Sequence, residues 1–586
     1  MITQPSKRSS ARVTALHVTI LLLAAWLVYV NAIGNDYTNW DDPEVILNNP
    51  HIRTLDADHV RRIFTPGEEG TSGIRGIYRP IWTLSYALDN RVGGLNPAAV
   101  HAHSLLLHSL NATLVYLLAL AVGLASAPAF AAALVFAVHP IHVEAVAWAS
   151  GRNEVLVTLF FLAAYLLAAF RTRLAGRFHP GLYAVSLALL ALALLSKVTA
   201  AVFPFLLFAT YAWFLRNRER DSVCRGACVA RHLPYLLLSL GLAWIELFVS
   251  RAGVVVHPEN AASRAVTLLT MPKVVLSYLG SLMLPLHLAP RYDTAYVTGA
   301  SAEAVATILG LVLVILFSVW IGRRWRAFGF AALWFALTLL PAGNLVLLST
   351  LRADRFMYLP SVGFCLALGA LFQISREKNR SLGRIVAMVL AGWCVFCAGV
   401  TIGQNRIWKN SVALWETTAT RSPGDYMAHH NLGIAYIEAG RREIARLAFE
   451  RSLELNPDFS KTHNNLGRMS AAAGETEQAE RYFRKAIEID PAYANAFTGL
   501  GALYAQTKRD KEAVLALEQS IALDPTQGEP HFLLGQIYAR TGNPARAREE
   551  LTRALASGLA PASTLRAEAL LRSSAASDRS DPIAPE

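Results

Sequence analysis

Between residues 13 and 403 the chain carries eleven apolar stretches, at 13–33, 104–123, 128–147, 153–170, 181–196, 198–215, 233–250, 303–321, 327–348, 358–374 and 384–403. Most approach the ~20 residues that a bilayer crossing requires. A water-soluble domain has no core large enough for so many apolar helices. The expected fold is therefore all-α, a polytopic bundle of about eleven spans whose backbone hydrogen bonds close within each helix. No small-x-small cleavage site follows 13–33, so this stretch reads as a retained span after a cytoplasmic N-terminus at 1–12.

Charge fixes the expected orientation. Lys7, Arg8 and Arg12 precede the first span, and the dense basic runs at 171–177, 216–231, 322–326 and 376–384 then all fall on the same, cytoplasmic side. The segment 266–290 is apolar enough to cross, but a twelfth crossing would place 322–326 and 376–384 outside. It is read as re-entrant or interfacial, in keeping with Pro272 and Pro285. The loop 34–103, the turns at 139–153 and 349–357, and everything beyond 404 face outward. The net charge of +12 marks cytoplasmic loops and calls for no nucleic acid. Five Cys in 586 residues exclude a disulfide-stapled scaffold, and no bridge or metal site is assigned to them.

After residue 420 the sequence repeats. Gly433, Gly467, Gly501 and Gly535 are 34 residues apart, as are Ala445, Ala479, Ala513 and Ala547, while Pro457, Pro491 and Pro525 close three units. This period, with Leu-Gly early and Asx-Pro late, resembles the tetratricopeptide repeat, two antiparallel helices per unit. A linker at 405–420, about four repeats over 421–572 and a disordered tail at 573–586 are expected. Such arrays present a concave face that commonly binds extended peptide or protein, or serves as an assembly surface.

Candidate chemistry lies on the outward side. In NDYTNWDDPEVILNNP, Asp41 and Asp42 stand near the membrane surface, where a carboxylate can take a proton from a hydroxyl. They can equally cap the turn before Pro43. Arg79, in IYRPIW, is placed to clamp a phosphate or to snorkel to headgroups. HPIHVEAVAWASGRNE holds His139, His142, Glu144, Arg152 and Glu154, ionisable groups so close to apolar spans that they count as functional candidates. Lys197 interrupts an apolar hairpin, and Asp354 with Arg355 opens the tenth span. Arg79, Arg152, Lys197 and Arg355 defy the inward bias of cations, so they call for an anionic partner, which a lipid-linked sugar phosphate would supply. His101, His103 and His108 lack a Cys or carboxylate at a zinc-binding spacing, and no metal or other cofactor is expected.

WDDPEVILNNPHIRTL, YRPIWTLSYALDNRVGGLNPAAVHAHSLLLHSLNATLV, HPIHVEAVAWASGRNE, LLSKVTAAVFP and ADRFMYLPSVGFC, followed by the repeats, resemble the transmembrane and tetratricopeptide-repeat protein O-mannosyltransferases. The resemblance implies a GT-C-type membrane domain over 13–404 that moves a sugar, mannose in animal members, from a polyprenyl-phosphate donor to Ser or Thr of a protein. It points to Asp41 or Asp42 as catalytic base. The outward cations Arg79, Arg152, Lys197 and Arg355 are then read as holding the donor phosphate, with His139, His142, Glu144 and Asp354 in support. The repeats would bind the acceptor protein. The expected location is a bacterial inner membrane with the repeats periplasmic, or the endoplasmic reticulum membrane with lumenal repeats if the chain is eukaryotic. The competing readings are a lipid-linked oligosaccharide ligase or polymerase, and a non-catalytic scaffold whose repeats recruit partners.

Overall fold

The computed structural model describes residues 7–66, 72–74, 76–171, 179–211, 222–249, 264–344 and 350–577. All regular structure among them is helical. The basic run at 171–177, most of the charged part of 216–231 and the end of the expected tail, 578–586, lie outside the described residues. The chain divides into two compact units, 1–422 and 423–586.

In the first unit, seven helices among the described residues are long and apolar enough to cross a membrane: Ala11–Gly34, Pro97–Ala121, Ala149–Ala169, Arg231–Val249, Arg264–Met283, Ala302–Arg324 and Arg380–Trp408. Ser126–Val138 and Pro140–Ala147, bent by 47° at His139, make an eighth if taken as one span. Pro180–Ser196, Val198–Thr210 and Arg326–Ala342 are apolar but shorter. At 1.5 Å per residue, even 17 residues rise only about 25 Å against a core of roughly 30 Å. The chain is a multi-pass membrane protein, but length and apolarity do not by themselves yield the eleven crossings expected. The outer surface of the bundle is inverted relative to a soluble protein. Leu309, Leu313, Leu316, Phe317 and Trp320 are all exposed along Ala302–Arg324, a stripe that only lipid covers cheaply.

Arg264–Met283 continues as a helix through Pro272 and would suffice to cross by length. The chain after it doubles back, however. The Val297 N–H donates to Thr270 Oγ1 at 2.9 Å and Lys273 Nζ to the Ala295 carbonyl at 3.1 Å. Residues 295–297 thus lie back beside the first turns of the helix.

The expected linker at 405–420 is not one. It forms the turn Arg406–Trp408 and the helix Ser411–Arg421, whose Trp415 is fully buried and donates its indole N–H to Asn39 Oδ1 at 2.6 Å. Two large aromatics in a short apolar run supply the burial that a linker lacks.

The second unit stacks four helix pairs, Tyr426–Glu438 with Arg442–Leu455, Ser460–Ala472 with Thr476–Ile489, Ala494–Gln506 with Asp510–Leu523 and Gly528–Arg540 with Pro544–Ser557, and ends in Pro561–Ser577. The 34-residue glycines mark where the two helices of a pair touch. A Cβ on Gly433, Gly467, Gly501 or Gly535 would come within 2.6 to 2.8 Å of the side chain sixteen residues on, Phe449, Phe483, Leu517 or Leu551. Ala445, Ala479, Ala513 and Ala547 are each fully buried at the matching place on the second helix. The helix Pro561–Ser577 runs through the first five residues of the expected tail.

Candidate active site

Asp41 and Asp42 lead into the short helical turn Pro43–Leu47, with Pro43 at its first position. Their surroundings differ completely. Asp42 is fully buried and accepts four hydrogen bonds. Thr38 N and Oγ1 donate to Oδ2 at 2.7 and 2.9 Å. Ser150 N and Oγ donate to Oδ1 at 3.0 and 2.5 Å. Burial pushes its carboxyl up to about 6 against the pull of these bonds. It pins the loop after the first helix to the bend at 149–151.

The Asp41 carboxylate, partly exposed, accepts no hydrogen bond among the described residues. Burial raises its pKa, the charges of Arg355 and Arg79 hold it down, and Glu44 and Glu144 push it up. A carboxylate that feels the charges of two guanidinium groups is a proton acceptor held near the positive charge that an anionic leaving group needs.

Two cations, Arg355 and Arg79, act on it, and a third, Lys197, lies within charge range of both. Arg355 lies in the turn Asp354–Met357, where its backbone N–H donates to Glu144 Oε2 at 2.8 Å and its guanidinium to Glu144 Oε1. The same guanidinium lies 5.9, 5.6 and 5.2 Å from the ring centres of Trp40, Trp148 and Phe356. Lys197 occupies the break between Pro180–Ser196 and Val198–Val202, paired with Glu154 and 5.4 Å from the Phe356 ring. Arg79, immediately before the helix Pro80–Gly93, lies 5.4 Å from Trp82 and close enough for its charge to act on both Asp41 and Lys197. Arg79, Lys197 and Arg355 therefore converge with Asp41, Glu144 and Glu154, although they come from five different segments.

Arg152 does not offer itself to a ligand, contrary to expectation. It is fully buried, with Nε on Ser104 Oγ at 3.1 Å, Nη1 paired to Asp89 at 2.5 Å and on Ser85 Oγ at 3.3 Å, and Nη2 on the Val100 carbonyl at 2.7 Å. The Tyr86 ring covers one face at 4.5 Å. Every edge is occupied, so it ties helices together. The two histidines are likewise used up within the bend. His139 Nδ1 accepts from Ile141 N–H at 3.1 Å and its Nε2 donates to the Leu282 carbonyl at 3.0 Å. The His142 ring nitrogens meet the Phe136 carbonyl at 2.9 Å and Ser361 Oγ at 2.8 Å. Asp354 is buried beside the cluster and accepts from the hydroxyl of Tyr292, in the stretch after the helix Arg264–Met283, at 2.6 Å. Burial and then the Glu144 charge raise its carboxyl to about 7.

His101, His103 and His108 share no ligand. His103 pairs with Asp89 at 2.6 Å, while His108 meets Tyr358 OH at 2.7 Å and the Ala137 carbonyl at 3.2 Å. Among the described residues no group of three His, Cys, Asp or Glu side chains is placed to hold a metal ion. Sequence reasoning missed the roles of Glu154 and of Trp40, Trp148 and Phe356. Glu154 and Lys197, two charges facing apolar helices, were the available signal for the first.

Fold and site define a multi-pass membrane protein with a charged cluster beside its helical bundle and a tetratricopeptide-repeat array. Residues 430–494, 471–528 and 529–557 match the tetratricopeptide repeat family. Over most of its length the chain is similar to three curated proteins, each 26% identical. These are protein O-mannosyl-transferase F38B6.6 of Caenorhabditis elegans, over 76% of this chain and 63% of the relative, Tmtc1 of Drosophila melanogaster, over 78% and 64%, and TMTC1 of Homo sapiens, over 77% and 57%. These homologues are named protein O-mannosyl-transferases, and the chain spans less than two thirds of the length of each.

Proposed function

We propose that the chain is a membrane glycosyltransferase that moves a sugar, mannose as in the relatives' names, from a polyprenyl-phosphate-linked donor to a Ser or Thr hydroxyl of a protein. The transfer takes place at the outer face of the membrane, in a bacterium the periplasmic face of the inner membrane. Asp41 takes the proton of the acceptor hydroxyl as its oxygen attacks the anomeric carbon from the face opposite the phosphate. The bond from that carbon to the phosphate oxygen breaks, the configuration inverts, and the polyprenyl phosphate leaves with the bonding pair. Arg79, Lys197 and Arg355 hold that phosphate and stabilise its growing charge. Glu144 and Glu154 keep Arg355 and Lys197 oriented. Arg152, His139 and His142 hold the surrounding helices, and the repeats bind the acceptor protein.

One observation carries this reading: Asp41, unlike its neighbour, has a carboxylate with no hydrogen-bond donor among the described residues, within reach of the charges of Arg355 and Arg79. The test is to incubate the purified protein with a polyprenyl-phosphate mannose and an unmodified exported protein, then read the acceptor's intact mass. Addition of hexose to Ser or Thr supports the reading. Transfer only to a lipid-linked glycan, leaving the protein's mass unchanged, would replace it with the ligase.

A further inference from the structure

The loop after the first helix and the helix Pro80–Gly93 border an open polar cavity of about 410 Å³, lined by Arg53, Thr54, Leu55, Asp56, Ala87, Asn90 and Arg91. This is within the size range of small-molecule sites. It sits at the far end of the helix Pro80–Gly93 from Arg79. The twelve-position separation of Arg79 and Arg91 puts it about 18 Å from the charged cluster along that helix. The walls are built rather than incidental. Asn90 Nδ2 donates to the Ile52 and Arg53 carbonyls, both at 3.0 Å, which fixes the 52–53 turn against the helix. Arg53 is anchored through one Nη to the Leu47 carbonyl. Arg91 has neither ion pair nor hydrogen bond among the described residues. Asp56, the one acidic wall residue, is occupied as the cap of Ala57–Ile63, accepting His59 N–H at 2.9 Å, the His59 ring and Thr54 Oγ1 at 3.1 Å.

The rim is apolar where the cavity is charged. Leu88 and Val92 lie one residue on from Ala87 and Arg91, so they form the adjoining stripe of the same helix, and they are 47% and 88% exposed. Leu47, whose carbonyl anchors Arg53, is 37% exposed. Two guanidinium groups beneath a greasy edge, with the hydroxyl of Thr54 and the amide of Asn90 spent on holding the wall together, match a phosphodiester with acyl chains, the headgroup of an anionic lipid. We propose that this cavity binds the phosphate of an anionic membrane lipid, separately from the donor site, and so seats the loop after the first helix on the bilayer surface.

Native mass spectrometry of the full chain in zwitterionic detergent tests this, with short-chain phosphatidylglycerol, phosphatidylcholine and inorganic phosphate as probes. Phosphatidylglycerol should bind at least tenfold more tightly than either other probe. R53A/R91A should weaken it roughly thirtyfold, while R53K/R91K, which keeps the charges, should retain most of the binding. An unchanged melting temperature of lipid-free R53A/R91A establishes that its fold persists; if it fails to fold, the single variant R91A, at an exposed unpaired residue, replaces it with a loss of about fivefold. Equal binding of phosphatidylcholine, equal binding of inorganic phosphate, or undiminished phosphatidylglycerol binding in the alanine variants would each overturn the proposal. Because the readout is lipid binding, failure here leaves the transferase reading standing, and failure of transfer leaves this one.

Discussion

Asp41 and Asp42 are neighbours in the chain and opposites in the fold. The Asp42 carboxylate accepts four hydrogen bonds from Thr38 and Ser150, and that of Asp41 accepts none among the described residues. The pair that the sequence leaves equivalent is divided into a structural tie and a free carboxylate.

Asn in place of Asp42 turns an acceptor into a donor, so at least one of the donors on Thr38 and Ser150 is left facing an N–H. A buried donor without a partner costs about 1–3 kcal/mol. D42N should therefore lower the melting temperature of the first unit, whereas D41N should leave it unchanged or slightly higher. Thermal unfolding of the two variants in the same detergent checks this.

Arg152 and Asp89 form a buried pair whose members are 0% and 8% exposed. Removing the cation strands the carboxylate, a loss of roughly 3–5 kcal/mol. R152A should fail by falling yield and stability, and the protein that remains folded should keep its KM for the lipid donor. A raised donor KM at undiminished stability would return Arg152 to the phosphate.

The pH dependence of transfer follows from Asp41, which works as a base only when ionised. Burial raises its pKa, so activity should climb with pH through a limb lying above the ordinary carboxylate range. The Arg355 charge opposes that rise. R355A should move the limb to higher pH, and R355K should leave it near its original place. Rate profiles of kcat/KM read the limb directly.

Sequence alone carried the repeats, since the 34-residue glycines and alanines are positions where helices touch and no larger residue fits. Apolar length carried the membrane domain, although not its number of crossings. The site was legible only as a collection of outward charges. Which charge is spent on packing depends on partners far along the chain, such as Ser150 for Asp42 or Asp89 for Arg152, and no local spacing encodes these. The linker at 405–420 was misread for the same reason, because Trp415 gains its burial from distant residues.

The repeats also contain one local conflict. Gly440, Gly474 and Gly542 take positive φ at the turn between paired helices, with φ of 74°, 79° and 78°, but the third unit has Lys508 there, at 60°. A side chain in this region costs on the order of 1 kcal/mol. K508G should stabilise the repeat unit by about that amount, measured as a rise in its denaturant midpoint.

The central claim, that Asp41 is the base for transfer, is tested most directly by the single variant D41N. Its transfer rate from polyprenyl-phosphate mannose should be compared with the parent at saturating donor and matched folding. The account predicts a fall of roughly 10²–10⁴-fold with the melting temperature preserved. A D41N enzyme transferring at the parental rate would contradict it.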